Sequence, residues 1–161
     1  MTTAYVGMGS NLDPVAHVQA GVAALRAEFG EIACSPVYET EPVGFEGPPF
    51  LNLVVCLETG LALAALVDRL HAIEDRLGRE RPAGGGMGNR SLDLDLLLFG
   101  DCVTTEPVTL PRRDVLEYPF VLKPLADMAP TTRHPALGRT FAELWAEFAD
   151  GPELHPVDLE L

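Results

Sequence analysis

Asp93 and Asp95 stand one leucine apart in RSLDLDLLLFG, residues 90–100, a stretch whose other positions are mostly apolar. In a β-strand, residues i and i+2 share a face and lie about 6.5 Å apart at Cα, so the two carboxylates project side by side. Alternation puts Leu92, Leu94, Leu96 and Leu98 on one face and Asp93, Asp95, Leu97 and Phe99 on the other. Neighbouring carboxylates repel, and partial burial makes each more costly to ionise. A divalent cation reverses that balance. Mg²⁺ takes oxygen ligands, often one or two carboxylates together with substrate phosphates. Two such ions about 3.5–4 Å apart can clamp both ends of a phosphoryl displacement. Taken alone, D-x-D also fits two exposed aspartates at a sheet edge.

The residues just before the pair supply something for a cation to act on. Arg76, Arg79, Arg81 and Arg90 fall within fifteen residues, with Gly84, Gly85, Gly86 and Gly88 among them. Guanidinium forks match phosphate oxygens. Glycines would let a lid carrying Arg79 and Arg81 close over a polyphosphate and exclude water; an ordinary surface loop is the plainer reading. His71 and Glu74, three apart on the helix that runs up to this loop, read more readily as a solvated face than as a site. Upstream, TEPVGFEGPPFLN (40–52) is longer than a hairpin requires. Its Phe45 and Phe50 suit a satellite of the core. Alternatively, one of them suits a plate for a flat heterocycle, whose edge Asn52 would read through its paired donor and acceptor.

These groups need elements to hold them. TTAYVGMGSN (2–11) reads as a first strand ending in a Gly-Ser-Asn turn. Asp13 suits an N-cap with Pro14 at the first helical position. Val15, Val18, Val22, Leu25 and Phe29 then mark one face of a helix that stops at Gly30. EIACSPVYET (31–40) reads as a second strand and LNLVVCLET (51–59) as a third. A second helix opens at Thr59 or Gly60, buries Leu63, Leu66, Val67, Leu70, Ile73 and Leu77, and stops at Gly78. The aspartate strand follows. The order βαββαβ predicts an α+β, ferredoxin-like fold: an antiparallel sheet with two helices on one face. A proline-rich C-terminal extension begins at Asp101 and ends in a short helix. There Thr140 and Glu143 form a capping box, and Trp145 reads as core packing.

Composition narrows the partners. A chain of 161 residues is expected to form one domain, 1–161, with a proper core. A net charge of −13 argues against a nucleic-acid surface, although a local arginine cluster can still bind an anionic small molecule because charges are screened beyond about 8 Å. No apolar run approaches the roughly 18 residues of a membrane span, and the N-terminus does not read as a signal peptide. Cys34, Cys56 and Cys102, widely spaced among apolar residues, read as buried reduced thiols of a cytoplasmic protein.

The segments AYVGMGSNL, SPVYETEPVG with PPFLN, RSLDLDLLLFGD, and LP with PFVLKPLADMAP occur in that order across about 130 residues. Together they resemble the signature segments of the 6-hydroxymethyl-7,8-dihydropterin pyrophosphokinase family of the folate pathway. The resemblance implies ATP, Mg²⁺ (two ions) and transfer of pyrophosphate to the pterin hydroxymethyl group with release of AMP. It implies Asp93 and Asp95 as metal ligands and, with Arg79, Arg81 and Arg90, as the catalytic set. Thr40, Glu41 and Val43 match the lining of the pterin pocket, Asn52 matches its hydrogen-bonding asparagine, and Phe50 and Phe120 match the aromatic sandwich. His71, Glu74, Arg81, Arg90, Thr109 and Arg112 fall on the nucleotide side. Some positions depart from the family. Asn89 stands before Arg90 in place of the usual proline, and Met87 replaces a common aromatic. Arg112 and Tyr118 stand where histidine and arginine are frequent. A monomer is expected.

Two other classes compete. A nucleotidyltransferase also joins a Gly-Ser turn to a D-x-D strand, but here Gly9-Ser10 and Asp93 lie over eighty residues and two helices apart. A non-catalytic, ferredoxin-like ligand-binding module would keep the pocket without the chemistry.

Overall fold

The computed structural model describes residues 1–77, 91–148 and 154–161. β1 (Thr2–Ser10) lies inside a six-stranded sheet, between β4 (Phe50–Thr59) and β5 (Asp93–Phe99). The order is β5-β1-β4-β3-β6, with β3 at Val37–Thr40 and β6 at His155–Val157; β2 (Ile32–Cys34) also pairs with β4. Every pairing is antiparallel. Ala4, Val6 and Met8 point to one face, where α1 (Pro14–Phe29) and α2 (Leu63–Arg76) bury Val18, Val22, Leu25, Leu66, Leu70 and Ile73 against them. The ferredoxin-like α+β arrangement expected from the sequence is the one observed.

The C-terminal extension covers part of the other face. α3 (Asp114–Glu117), α4 (Pro119–Met128) and α5 (Phe141–Glu147) bury Val115, Leu122, Leu125 and Phe141 on Val54, Leu97 and Leu98. The capping box forms as expected: Thr140 Oγ1 accepts from Glu143 N at 3.1 Å, and Thr140 N donates to Glu143 Oε1 at 3.0 Å. Trp145 is a rim residue instead of a core one. It is only partly buried, stacks on Phe148 at 5.9 Å, and carries the Lys123 ammonium 5.6 Å from its ring.

Several boundaries differ from the sequence reading, each for a local reason. The expected strand 31–40 is two strands, broken at Ser35-Pro36; there the Ser35 hydroxyl accepts from Val54 N at 2.8 Å, and Pro36 has no N–H to offer. α2 begins at Leu63 because Thr59 still belongs to β4, its hydroxyl accepting from Leu61 N at 3.1 Å. Asp13 occupies the N-cap position but adopts φ 46° and makes no side-chain cap; its carbonyl accepts from His17 N at 3.1 Å. Val15, in the first turn, is 45 % exposed. Gly30 ends α1 at φ 78°, a conformation that favours glycine. The stop assigned to Gly78 lies outside the described residues. β6, which no hydrophobic pattern announces, extends the sheet beyond β3.

The strict alternation expected along β5 fails after Leu96. Val6 pairs with Leu96 and Tyr5 with Leu98, so Leu97 is an inserted residue. The bulge turns Leu98 toward the α4–α5 core beside Leu97, and Phe99 toward the α1–α2 core. Asp93 and Asp95 precede it and keep the predicted common face.

His134 gives a pH prediction. It is 4 % exposed, and its Nδ1 accepts from Ala136 N and Leu137 N, each at 3.2 Å. Burial lowers its pKa below the ordinary 6.5, so the folded state holds the neutral ring while the unfolded chain takes up a proton first. Stability supplied by this residue is complete above about 6.5 and is lost as pH falls below it. Thermal melts between pH 8 and 5 are expected to show wild type losing more of its Tm than His134→Asn. Equal losses in both proteins would refute this.

Candidate active site

Two strand residues without side chains create the space in which the site sits. Gly9 is paired with Asn52 on β4 and with Asp93 on β5; Gly7 is paired with Val54 and Asp95. Met8, between them, faces the α1–α2 core. The sheet therefore has a bare strip, with the aspartates along one border and Asn52 along the other. A Cβ on Gly9 would lie 2.9 Å from Asn52 Oδ1, closer than real Cβ contacts come. A cavity of about 370 Å³ opens over this strip.

Thr40, Glu41, Val43, Phe50, Asn52 and Phe120 all line that cavity, together with Asp93, Asp95 and Arg112. These residues come from β3, the 41–49 loop, β4, β5 and the C-terminal extension, so only the folded sheet brings them together. Asn52 is buried and donates from Nδ2 to Thr40 Oγ1 at 2.9 Å, which fixes its amide. The loop is tied to the end of β1 where Asn11 Nδ2 donates to Pro48 O at 3.2 Å. Phe45 meets Phe50 edge-on at 6.1 Å, and Tyr118 stacks on Phe120 at 5.0 Å and 22°. Phe120 lies in the first turn of α4, which is held against β3 by the Tyr38 hydroxyl donating to Asp127, with Lys123 Nζ 2.6 Å from the same carboxylate. Burial first, then that hydrogen bond, raises the Tyr38 pKa and keeps the phenol protonated.

Arg112 Nη2 lies 3.6 Å from Asp95 Oδ1, and its Nε lies 3.1 Å from Asp114 Oδ2. Burial disfavours its cation, but Asp95, Asp114 and Asp93 together outweigh that and raise its pKa. Among the described residues no group of three or more His, Cys, Asp or Glu side chains is placed to hold a metal. The donor set fits Mg²⁺ nonetheless. Two carboxylates on one strand face offer only oxygen, and they open on a cavity where phosphates and water can complete the shell.

Not every residue singled out from the sequence reaches this cavity. Glu74 is buried in α2 and bonds to β5, contrary to the solvated face expected for it; His71, one step outside the buried stripe, is exposed as that reading required. Thr109 is exposed and does not line the cavity. Arg79, Arg81, Arg90 and the glycine-rich lid lie outside the described residues. Sequence reasoning missed Gly7, Gly9 and Asp114. A signal existed for the glycines, whose i, i+2 spacing flanks a core methionine on an otherwise apolar strand.

Gly9→Ala offers a direct test of the bare strip. The added methyl must displace the Asn52 amide, which is already committed to Thr40. Affinity for a pterin, measured by calorimetry, is expected to fall about tenfold or more, the scale of one misplaced buried hydrogen-bonding group. Unchanged affinity would show that the Asn52 amide takes no part.

Residues 5–130 match the 7,8-dihydro-6-hydroxymethylpterin-pyrophosphokinase family. The chain is 43 % identical over 151 residues to the 2-amino-4-hydroxy-6-hydroxymethyldihydropteridine pyrophosphokinase of Pseudomonas aeruginosa, covering 88 % of this chain and 89 % of that one. It is 35 % identical over 155 residues to the protein of the same name from Haemophilus influenzae, covering 93 % and 95 %. Its fold is similar to Plasmodium falciparum HPPK-DHPS, with a TM-score of 0.75 at 14 % identity over 91 % of this chain; it spans 45 % of that longer chain. With the match extending over most of its length, the chain belongs to the 7,8-dihydro-6-hydroxymethylpterin-pyrophosphokinase family.

Proposed function

We propose that this protein is an enzyme that transfers pyrophosphate from ATP to the hydroxymethyl group of 6-hydroxymethyl-7,8-dihydropterin, releasing AMP, in folate biosynthesis. One observation carries the reading. The pterin-side residues Thr40, Glu41, Val43, Phe50, Asn52 and Phe120 line a single cavity with the Asp93–Asp95 pair at its border. Membership of the family supports the reaction.

Phe50 and Phe120 would hold the flat ring, and the Asn52 amide, fixed by Thr40, would read its edge. A ring held this way would turn its hydroxymethyl oxygen toward the aspartates, where it would attack the β-phosphorus of ATP and AMP would leave. Asp93 and Asp95 would hold Mg²⁺, as two ions, which neutralises charge building on the polyphosphate. Arg112, held in the cavity by Asp114, is positioned to add a guanidinium on the same side. Arg79, Arg81 and Arg90, with His71 and Thr109, are assigned to the nucleotide by family resemblance; Glu74, which the same resemblance put there, is buried against β5 and does not line the cavity, so it is not a nucleotide contact. Catalysis then rests on positioning and electrostatics and needs no covalent nucleophile from the protein.

We read residues 1–161 as one pyrophosphokinase domain, supported by one sheet that carries a core on each face. We read the working unit as a monomer. Among the described residues no helix is long and apolar enough to cross a membrane. Three cysteines without disulfides support a cytoplasmic setting. The test is product analysis after incubation with ATP, Mg²⁺ and 6-hydroxymethyl-7,8-dihydropterin. AMP is expected. ADP would indicate a simple kinase, pyrophosphate a nucleotidyltransferase, and no product a binding module.

A further inference from the structure

Glu74 is a carboxylate set into the apolar stripe of α2, between Leu70 and Leu77, and is 1 % exposed. Such burial is costly unless the charge is matched. One of its oxygens has a specific job: Oε2 accepts from the backbone N–H of Leu94 at 2.8 Å. Leu94 is the residue between Asp93 and Asp95, and β5 is the outermost strand of the sheet. Among the described residues no strand pairs with β5 on its outer side to receive this amide, and α2, with its backbone bonds spent internally, can reach it only through a side chain. Glu74 has the length to do so.

From this we infer that Glu74 is a positioning residue for the aspartate pair, setting the pitch of β5 at the point from which both carboxylates project. The inference rests on the reading of Asp93 and Asp95 as cation ligands. Alternate strand residues share a face while the strand stays extended, and the angle between their side chains changes with its local twist. Besides β1, the described residues give β5 a backbone bond at Leu97 O, from Arg112 N at 3.0 Å, two residues past Asp95, and the Leu97 bulge there adds to the strand's tendency to twist. The Leu94 tether opposes the twist at the midpoint of the pair. Glu74 thereby acts on the cation site from behind the strand, on the face away from the substrate cavity, which it does not line.

The test uses the full-length protein and two variants. Glu74→Gln retains an acceptor oxygen for the Leu94 amide, whereas Glu74→Leu fills the same space without one. Mn²⁺ affinity in the presence of α,β-methylene-ATP, followed by EPR, is expected to stay within about threefold of wild type in Glu74→Gln and to weaken tenfold or more in Glu74→Leu. Pterin affinity should be unchanged in both, and added Mg²⁺ should recover much of the turnover of Glu74→Leu, a shift in metal half-saturation more than in kcat. Wild-type Mn²⁺ affinity in a folded Glu74→Leu protein would overturn the inference, as would equal losses in both variants. Should Glu74→Leu not fold, amide exchange at Leu94 decides. Slow exchange in both wild type and Glu74→Gln upholds the tether, and fast exchange in either overturns it. Asp95→Asn in the same titration checks the underlying reading: its failure to weaken Mn²⁺ binding would remove the ligand assignment itself, whatever Glu74 does.

Discussion

Asp95→Asn is expected to keep its fold and lose turnover on the order of a hundredfold or more, the scale of removing one preorganised electrostatic group from a reaction centre. The substitution preserves shape and exchanges a charged oxygen for an amide nitrogen. The Asp95 side chain is 35 % exposed and stands over Gly7, so no packing is lost. Arg112 loses a partner 3.6 Å away but keeps Asp114 at 3.1 Å. In metal-free buffer the Tm should hold or rise slightly, because one like-charge repulsion with Asp93 is gone. Loss of activity with a retained melt is therefore the signature of a ligand role. Near-normal turnover at saturating Mg²⁺ would end the assignment of Asp95 to the metal.

Phe120→Ala separates a plate of the substrate slot from a core residue. A fully buried phenylalanine costs about 3–5 kcal/mol when cut to alanine. Phe120 is only partly buried, lines the cavity and shares one contact surface with Tyr118. The stability loss is expected to fall below that range. Pterin affinity should drop about tenfold, since stacking contributes roughly 0.5–1.5 kcal/mol beyond the area buried. ATP affinity measured alone should barely move. Calorimetry on wild type and variant gives both affinities. A large fall in Tm with intact pterin binding would return Phe120 to the core.

The architecture and the pair of aspartates were legible because both depend on short-range pattern. Helical spacing marked Leu66, Leu70 and Ile73, and strand alternation placed Asp93 and Asp95 on one face, where the structure has them. The family segments, present in order, added the reaction. What pattern cannot carry is how strands lie side by side. Gly9 read as the start of a turn, and Gly7 as an ordinary position of the first strand. Their role as cavity floor exists only because β1 lies between the aspartates and Asn52, a register set by β4 and β5 over long sequence separations.

Charge and burial divide in the same way. From sequence, Glu74 and His71 were equivalent polar residues on one helix, and the solvated reading was the natural one for both. Packing α2 against an edge strand drew Glu74 inward to meet a backbone donor and left His71 in solvent. Likewise the bulge at Leu97 exchanges the faces of Leu98 and Phe99 without any break in the apolar run. By itself the sequence determined which elements form and which carboxylates share a face, since those follow from the chain's own periodicity. Only the tertiary structure decided which polar groups are buried, which glycines clear space and which residues meet across the cavity, because those follow from neighbours far away along the chain.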